Sequence, residues 1–201
     1  MLIKASRITN LTDARYFAAK EVDFLGFNLE EGTDGYLDPM YMKAIREWVE
    51  GPKIVGEFSR ASASYIKEAA AFFGLDAVQV TSEHAKQLAD LEGLAVILEI
   101  EVNEQLTTDN GQQIFREAAP FVTCFLLKFP PVASILQQAE FWKKLFEQHP
   151  VLLQADLAAE QLSAILETLN PAGLSLIGGG EEQVGVKSFD EIEAIFEMLG
   201  R

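Results

Sequence analysis

Cysteine is nearly absent from this sequence, because Cys124 is the only one among 201 residues. A lone thiol excludes an internal disulfide and is typical of a protein from a reducing compartment. Basic residues are also scarce: 16 lysines and arginines face 31 aspartates and glutamates, which leaves a net charge of −15. A field of that sign repels nucleic acids and anionic lipids, so we expect neither nucleic acid nor membrane as a partner.

Long hydrophobic runs are missing as well. No stretch approaches the ~20 apolar residues that cross a bilayer, and the N-terminus lacks the basic-then-apolar pattern of a secretion signal. We therefore expect a cytoplasmic protein. Apolar residues nevertheless make up 49% of the chain, which is enough to build a core, and the length predicts one domain over residues 1–201.

Short apolar segments alternate with segments of helical periodicity along the whole chain. The segments that predict strands are 2–6, 24–29, 54–58, 77–81, 95–101, 121–128, 151–155 and 174–177. The segments that predict helices are 11–21, 40–50, 62–73, 83–91, 104–119, 134–148, 159–169 and 189–199. Eight strand–helix units with nearly continuous apolar strands predict a single (β/α)8 TIM barrel. The alternative, an open doubly wound sheet, usually has a glycine-rich turn after its first strand, and "KASRIT" contains none.

Polar residues follow the predicted strands at the end where TIM barrels carry their active sites. From these ends we take a set of candidate site residues. They are Ser6, Arg7, Glu57, Gln79, Thr81, Glu99, Glu101, Lys128, Asp156, Gly178 and Gly179.

Several motifs together resemble phosphoribosylanthranilate isomerase, the small TIM-barrel enzyme of tryptophan biosynthesis. "ITNLTDA" looks like the start of the family's first helix, and "VDFLGFNL" looks like its second strand. "GLDAVQV" is close to the family's fourth strand, and "GVKSFDEIEAIF" resembles its closing motif and last helix. No single motif is specific, but their order and spacing are.

The resemblance implies an Amadori rearrangement of an aminoaldose phosphate, without a cofactor. In the family, a cysteine in the first-strand motif Lys-x-Cys-Gly is the general base, and an aspartate at the end of the sixth strand is the general acid. At the matching positions this sequence has Ser6 in place of the cysteine, Arg7 in place of the glycine and Lys128 in place of the aspartate. Lys4 is retained.

The family's phosphate site also differs here. It is built from glycine-rich loops after the sixth, seventh and eighth strands. The glycine pair after the seventh strand is replaced by Ala155 and Asp156, and a carboxylate there would repel a phosphate. Only "IGGGEE", after the eighth strand, keeps glycines, Gly178 and Gly179 among them.

These substitutions lead to three functional hypotheses. A serine hydroxyl is a far weaker acid than a thiol and needs an activating base, and neither His84 nor His149 is placed next to Ser6. We therefore expect a diverged family member with little or no isomerase activity, whose mouth binds a small polar molecule. The second hypothesis is a working isomerase with Lys128 as acid and Ser6 or Glu57 as base. The third is a non-catalytic interaction protein.

Three candidate groups have more than one interpretation. Lys128 forms either a Schiff base with a carbonyl substrate or an ion-pair network with Glu99, Glu101 and Asp156 that plugs the cavity; the acids favour the network. Arg7 either binds an anion or pairs with Glu30 or Glu57, and we expect the pair. The three glutamates 57, 99 and 101 could bind a divalent cation. No metal-binding motif supports that interpretation, so we expect no metal.

Overall fold

The computed structural model describes residues 1–103, 106, 108–130, 135–155, 158–178, 181–183, 186–187 and 189–201. In these residues, parallel strands close into a barrel in sequence order, with the last strand paired to the first. The strands are β1 (Leu2–Ser6), β2 (Phe24–Asn28), β3 (Lys53–Phe58), β4 (Ala77–Thr81), β5 (Val96–Glu101), β6 (Cys124–Lys128), β7 (Val151–Gln154) and β8 (Gly173–Ile177). The predicted TIM barrel is confirmed.

Helices connect the strands and cover the barrel. They are α1 (Leu11–Ala19), α2 (Pro39–Arg46), α3 (Ala63–Phe73), α4 (Thr108–Ala118), α5 (Ala139–Gln148), α6 (Ala159–Leu169) and α7 (Asp190–Leu199). The connection between β4 and β5 is a 3-10 helix, Ser82–Leu91, where we predicted an α-helix. A short antiparallel pair, β9 (Glu181–Gln183) and β10 (Val186–Lys187), follows β8 and was not predicted. No helix in the described part of the chain is long and apolar enough to cross a membrane.

Local signals explain where several elements begin and end. Asn10 caps α1, because its side chain accepts a hydrogen bond from the backbone N–H of Asp13 at 2.9 Å. Gly74 ends α3 in the left-handed conformation, with φ of 61°, which glycine adopts without a steric cost. Asn10 thus marks the turn from β1 into α1, and Gly74 marks the turn from α3 into β4. Because all eight strands of the barrel are parallel, their C-terminal ends lie at one rim.

The barrel encloses a small apolar cluster of its own, separate from the larger core between strands and helices. Cys124 belongs to this cluster, and burial raises the pKa of its thiol to about 11. Cys124 therefore packs as a small buried hydrophobic residue. The full cluster is Val55, Ala77, Ile97, Cys124, Leu126 and Leu152.

Candidate functional site

A polar layer lies on top of the apolar cluster inside the barrel. Side chains two positions apart on a strand point to the same face, so the residue two positions after each cluster residue also points inward. These residues form the floor and walls of the barrel mouth. They are Glu57 after Val55, Gln79 after Ala77, Glu99 after Ile97, Lys128 after Leu126, and Gln154 after Leu152.

The mouth is an open pocket with a volume of about 270 Å³. The plug of ion-paired side chains that we predicted does not fill it, because Lys128 is directed partly into solvent and its side chain is 45% exposed. Among the described residues, the lining consists of Ser6, Arg7, Asn28, Thr33, Asp34, Glu57, Phe58, Ser59, Gln79, Thr81, Glu99, Lys128, Gln154 and Ile177.

The structure brings seven of the predicted site residues together in this lining, from Ser6 on β1 to Lys128 on β6. Glu101 lies outside the lining and is largely exposed, with Lys128 Nζ 3.6 Å from its Oε1. Gly178, at the end of β8, is also outside the described lining. Asp156 and Gly179 lie outside the described residues.

A buried lysine lies at the floor of the mouth. Lys4 on β1 has no exposed surface, and its ammonium group forms an ion pair with the carboxylate of Glu57 on β3. The same group donates a hydrogen bond to Ser6 Oγ at 2.5 Å. Burying two charges is costly unless they are paired and hydrogen-bonded, so this contact stabilises both residues in the interior.

A hydrogen-bond chain continues from Ser6 around the barrel. Ser6 Oγ lies 2.7 Å from Ser175 Oγ on β8, and Ser175 lies 3.0 Å from Gln154 Oε1 on β7. An ammonium group can only donate, so Ser6 accepts from Lys4. Ser175 uses its single proton to donate to Gln154, so Ser6 is the donor between the two hydroxyl groups. The chain therefore has one direction, from Lys4 to Gln154.

The space for this buried pair comes from a glycine on β2. A β-carbon at Gly26 would lie 2.5 Å from Lys4 Nζ and would also collide with Glu57 Oε1. Any larger residue at this position would compete with the ion pair for the same volume.

Arg7 adopts a backbone conformation that suits the glycine it replaces. Its φ is 56°, in the left-handed region that a residue with a β-carbon rarely occupies. Its guanidinium group pairs with the Asp34 carboxylate and donates to the Asp34 carbonyl oxygen at 3.2 Å. The predicted pairing with Glu30 or Glu57 is wrong for the side chain, because Glu30 is held elsewhere. Only the backbone N–H of Arg7 reaches Glu57 Oε2, at 3.3 Å.

Glu30 instead binds the turn after β3. Its carboxylate accepts hydrogen bonds from the backbone N–H groups of Ser59 at 2.6 Å and Arg60 at 2.9 Å. Burial tends to raise the pKa of Glu30, but these donors outweigh it and the pKa is lowered. The residue therefore fixes the rim as a carboxylate.

Glu99 is the carboxylic acid whose environment disfavours its charge. Burial raises its pKa, and the neighbouring Glu57 carboxylate adds to the rise. Lys128, Lys4 and a hydrogen bond from Gln79 lower it, but less strongly. Gln79 Nε2 donates to Glu99 Oε2 at 2.6 Å.

The remaining candidates have structural partners. Thr81 Oγ1 donates to the Ser59 carbonyl oxygen at 3.0 Å and so joins the ends of β4 and β3. His84 is buried, with Nε2 2.8 Å from the Ala61 carbonyl oxygen, and His149 packs against Phe115. The described residues contain no group of three or more His, Cys, Asp or Glu side chains arranged to hold a metal ion.

Sequence reasoning missed two residues of the buried network, Lys4 and Ser175, and missed Asp34 in the pocket wall. The signal for Lys4 was present, because Lys4 lies two positions before Ser6 in the strand "LIKAS" and therefore points to the same inward face. Ser175 interrupts the apolar strand "GLSLI" in the same way. Nothing local marks Asp34, which reaches the site through a loop.

A family model described as N-(5'-phosphoribosyl)anthranilate (PRA) isomerase matches residues 3–198. The chain belongs to the phosphoribosylanthranilate isomerase family. It is 26% identical over 207 residues to N-(5'-phosphoribosyl)anthranilate isomerase from Maridesulfovibrio salexigens, covering 100% of this chain and 99% of that protein. The match to the family extends over nearly the full length of the chain.

Solved structures of phosphoribosylanthranilate isomerases share the fold. The Thermus thermophilus structure superimposes with a TM-score of 0.80 at 24% identity and covers 100% of this chain and 98% of that one. The Thermotoga maritima structure gives a TM-score of 0.81 at 18% identity, with the same coverage. At these identities the structural likeness establishes the barrel, and the chemistry of the mouth has to be argued from its own residues.

Proposed function

We propose that this chain is a diverged phosphoribosylanthranilate isomerase family member that binds a small polar molecule at the barrel mouth and has little or none of the isomerase activity. The observation that carries the proposal is the hydrogen bond from Lys4 Nζ to Ser6 Oγ. Ser6 stands where the resemblance places the family's general base.

The hydrogen bonds of Ser6 leave its hydroxyl poorly suited to accept a proton from a substrate. Its oxygen already accepts from Lys4, and its hydroxyl proton is directed to Ser175. A serine becomes a base or nucleophile only when a neighbour removes its proton. Its basic neighbour Lys4 forms an ion pair with the Glu57 carboxylate and donates a hydrogen bond to Ser6, so it does not accept the hydroxyl proton.

The charges around the mouth also disfavour the family's phosphorylated substrate. Glu57, Glu99 and Asp34 all line the pocket, and the whole chain carries a net charge of −15. Asp156 replaces one glycine of the family's pair after the seventh strand. These carboxylates would repel a phosphate dianion.

The test is turnover of phosphoribosylanthranilate by the purified chain, together with rescue of a tryptophan auxotroph that lacks the isomerase. We expect no turnover above the background and no growth. The Thermus thermophilus isomerase, expressed in the same strain to the same level, is the positive control. Growth with this chain, or turnover that rises in proportion to its concentration, would overturn the proposal.

A working isomerase is the second candidate, and one observation favours it. The pocket is open, and it is lined by both Lys128 and Glu57, the residues that could serve as acid and base. If the auxotroph is rescued, Glu57→Gln and Lys128→Met should each abolish the rescue, whereas Ser6→Ala should not. The same openness argues against a purely non-catalytic interaction protein, which does not need a ligand pocket at the barrel mouth.

A further inference from the structure

We infer that the ligand of the mouth is a small zwitterion, with its ammonium group held on the β3–β5 side of the pocket and its carboxylate on the β6–β7 side. The inference rests on the proposed function, because it names the class of small polar molecule that the same pocket binds. It follows from how the two sides differ in their hydrogen-bonding groups.

The β3–β5 side of the pocket presents acceptors. Glu57 on β3 and Glu99 on β5 both line it, with Gln79 between them on β4. Lys4 contacts Glu57 through Oε1, while among the described residues Oε2 receives only the long hydrogen bond from the Arg7 backbone. Carboxylates on this side therefore retain lone pairs for a ligand N–H.

Gln79 supplies an independent sign of a missing donor. The residue is only 5% exposed, and its Nε2 is used by Glu99. Its Oε1 is buried and accepts no hydrogen bond from any described residue. An amide oxygen in this state has lost its hydrogen bonds to water without a replacement, which is unfavourable. A ligand ammonium beside Glu99 would supply the donor after a small rotation of the amide.

The β6–β7 side of the pocket presents donors. Gln154 on β7 uses its Oε1 to accept from Ser175, at the end of the hydrogen-bond chain that starts at Lys4. The two N–H donors of the Gln154 side-chain amide are then left for a ligand in the pocket, which Gln154 lines.

Lys128 on β6 adds a cation next to these donors. Its Nζ lies 3.6 Å from Glu101 Oε1, which is longer than a hydrogen bond, and nearly half of its side chain is exposed. Its three donors are therefore accessible to a carboxylate in the pocket. A simple anion would still meet Glu57 and Glu99, and a simple cation would meet Lys128. A molecule that carries both charges satisfies both sides.

The volume restricts the ligand to a small molecule. About 270 Å³ is just below the usual range for ligand pockets, roughly 300–1,000 Å³. We therefore choose ω-amino acids of two to six carbons as probes. The carboxylic acid and the primary amine of each length are the single-charge controls.

The experiment is a calorimetric or NMR titration of the full chain with these probes at pH 7.5. We expect at least one amino acid to bind at least tenfold more tightly than the acid and the amine of its own length. Equal or tighter binding of the acid or the amine, or no binding by any probe, would overturn the inference. The order of affinities among the probes is measured by binding alone and does not depend on turnover. A failed titration would therefore overturn this inference, whereas a positive isomerase assay would overturn the proposed function.

Matched variants locate the two ends of the bound probe. Glu99→Gln should weaken the best amino acid at least tenfold and leave its matched acid unchanged. Gln154→Leu should weaken both the amino acid and the acid. Glu47→Gln, which removes an exposed carboxylate on the outer surface, is the control and should change neither. If Glu99→Gln and Glu47→Gln behave alike while both fold normally, the assignment of the ammonium end is wrong.

Discussion

Gly26 on β2 lies directly against the ammonium group of Lys4 on β1: a β-carbon added at position 26 would stand 2.5 Å from Lys4 Nζ. The glycine and the buried lysine therefore depend on each other. The ion pair with Glu57 fills the space that the missing β-carbon leaves.

We expect Gly26→Ala to destabilise the protein by roughly 1–3 kcal/mol, because the new methyl group forces the buried charges apart. Urea unfolding measures this cost. In a Lys4→Ala/Glu57→Ala background the same substitution should cost much less, since the atoms that it strikes are gone. An equal cost in both backgrounds would show that Gly26 does not serve the ion pair.

The backbone of Arg7 leads to a second prediction. An L-residue in the left-handed conformation costs about 1–2 kcal/mol relative to glycine, and Arg7 has φ of 56°. We expect Arg7→Gly to be more stable than Arg7→Ala by about 1 kcal/mol. Both variants lose the ion pair with Asp34, whose side chain is largely exposed. The difference in stability between the two variants therefore reports the backbone conformation at position 7. Thermal unfolding of the two variants side by side measures the difference.

The raised pKa of Glu99 predicts that removing its carboxylate stabilises the protein by an amount that depends on pH. Its pKa is raised by burial and by Glu57, against the opposing effects of Lys128, Lys4 and Gln79. Below its ordinary pKa, the group is protonated in both the folded and the unfolded state. As the pH rises through the raised pKa, the folded state must ionise a disfavoured group and loses stability.

Glu99→Gln should therefore raise the urea midpoint at pH 7.5 and have little effect at pH 4. Glu47→Gln, on the exposed surface, provides the reference at both values. A gain at pH 4 as large as the gain at pH 7.5 would contradict the raised pKa of Glu99.

Replacing Ser6 with the family's cysteine tests the environment of the floor. The Lys4 ammonium, 2.5 Å from Ser6 Oγ, should lower the pKa of a thiol at this position. Position 6 is only 2% exposed but lines the pocket, so a small reagent is needed to reach it. We expect Ser6→Cys to react rapidly with a small thiol reagent at pH 7.5.

The parent chain provides the control for this labelling. Its Cys124 is buried with a pKa of about 11, so it should react roughly 100-fold or more slowly than an ordinary thiol. The Lys4→Met/Ser6→Cys variant should also be slow, because the cation is gone. If Lys4→Met leaves the labelling rate unchanged, Lys4 does not govern the chemistry of this position.

The barrel itself was predictable from the sequence, and particular strands show why. Val151–Gln154 and Ala77–Thr81 are short apolar segments bounded by polar turns, so local composition alone marks them as buried strands. Strand β6 was predicted to begin at residue 121 but begins at Cys124. Pro120 lies in a 3-10 turn that ends with Phe121. Because the residues around Pro120 are apolar, the sequence pattern does not separate this turn from the strand.

Alternation along each strand is a local property, and it was enough to place Ser6, Glu57, Gln79, Glu99 and Lys128 at the mouth. Lys4 and Ser175 were missed, and Glu101 lies outside the lining. What each side chain contacts was decided only by the tertiary structure. Lys4 pairs with Glu57, which is 53 positions away in the sequence. Arg7 pairs with Asp34, where Glu30 or Glu57 was expected. Closure of the barrel brings distant strands together, and competition among neighbouring charges then selects the partners. Local periodicity carries no information about that competition.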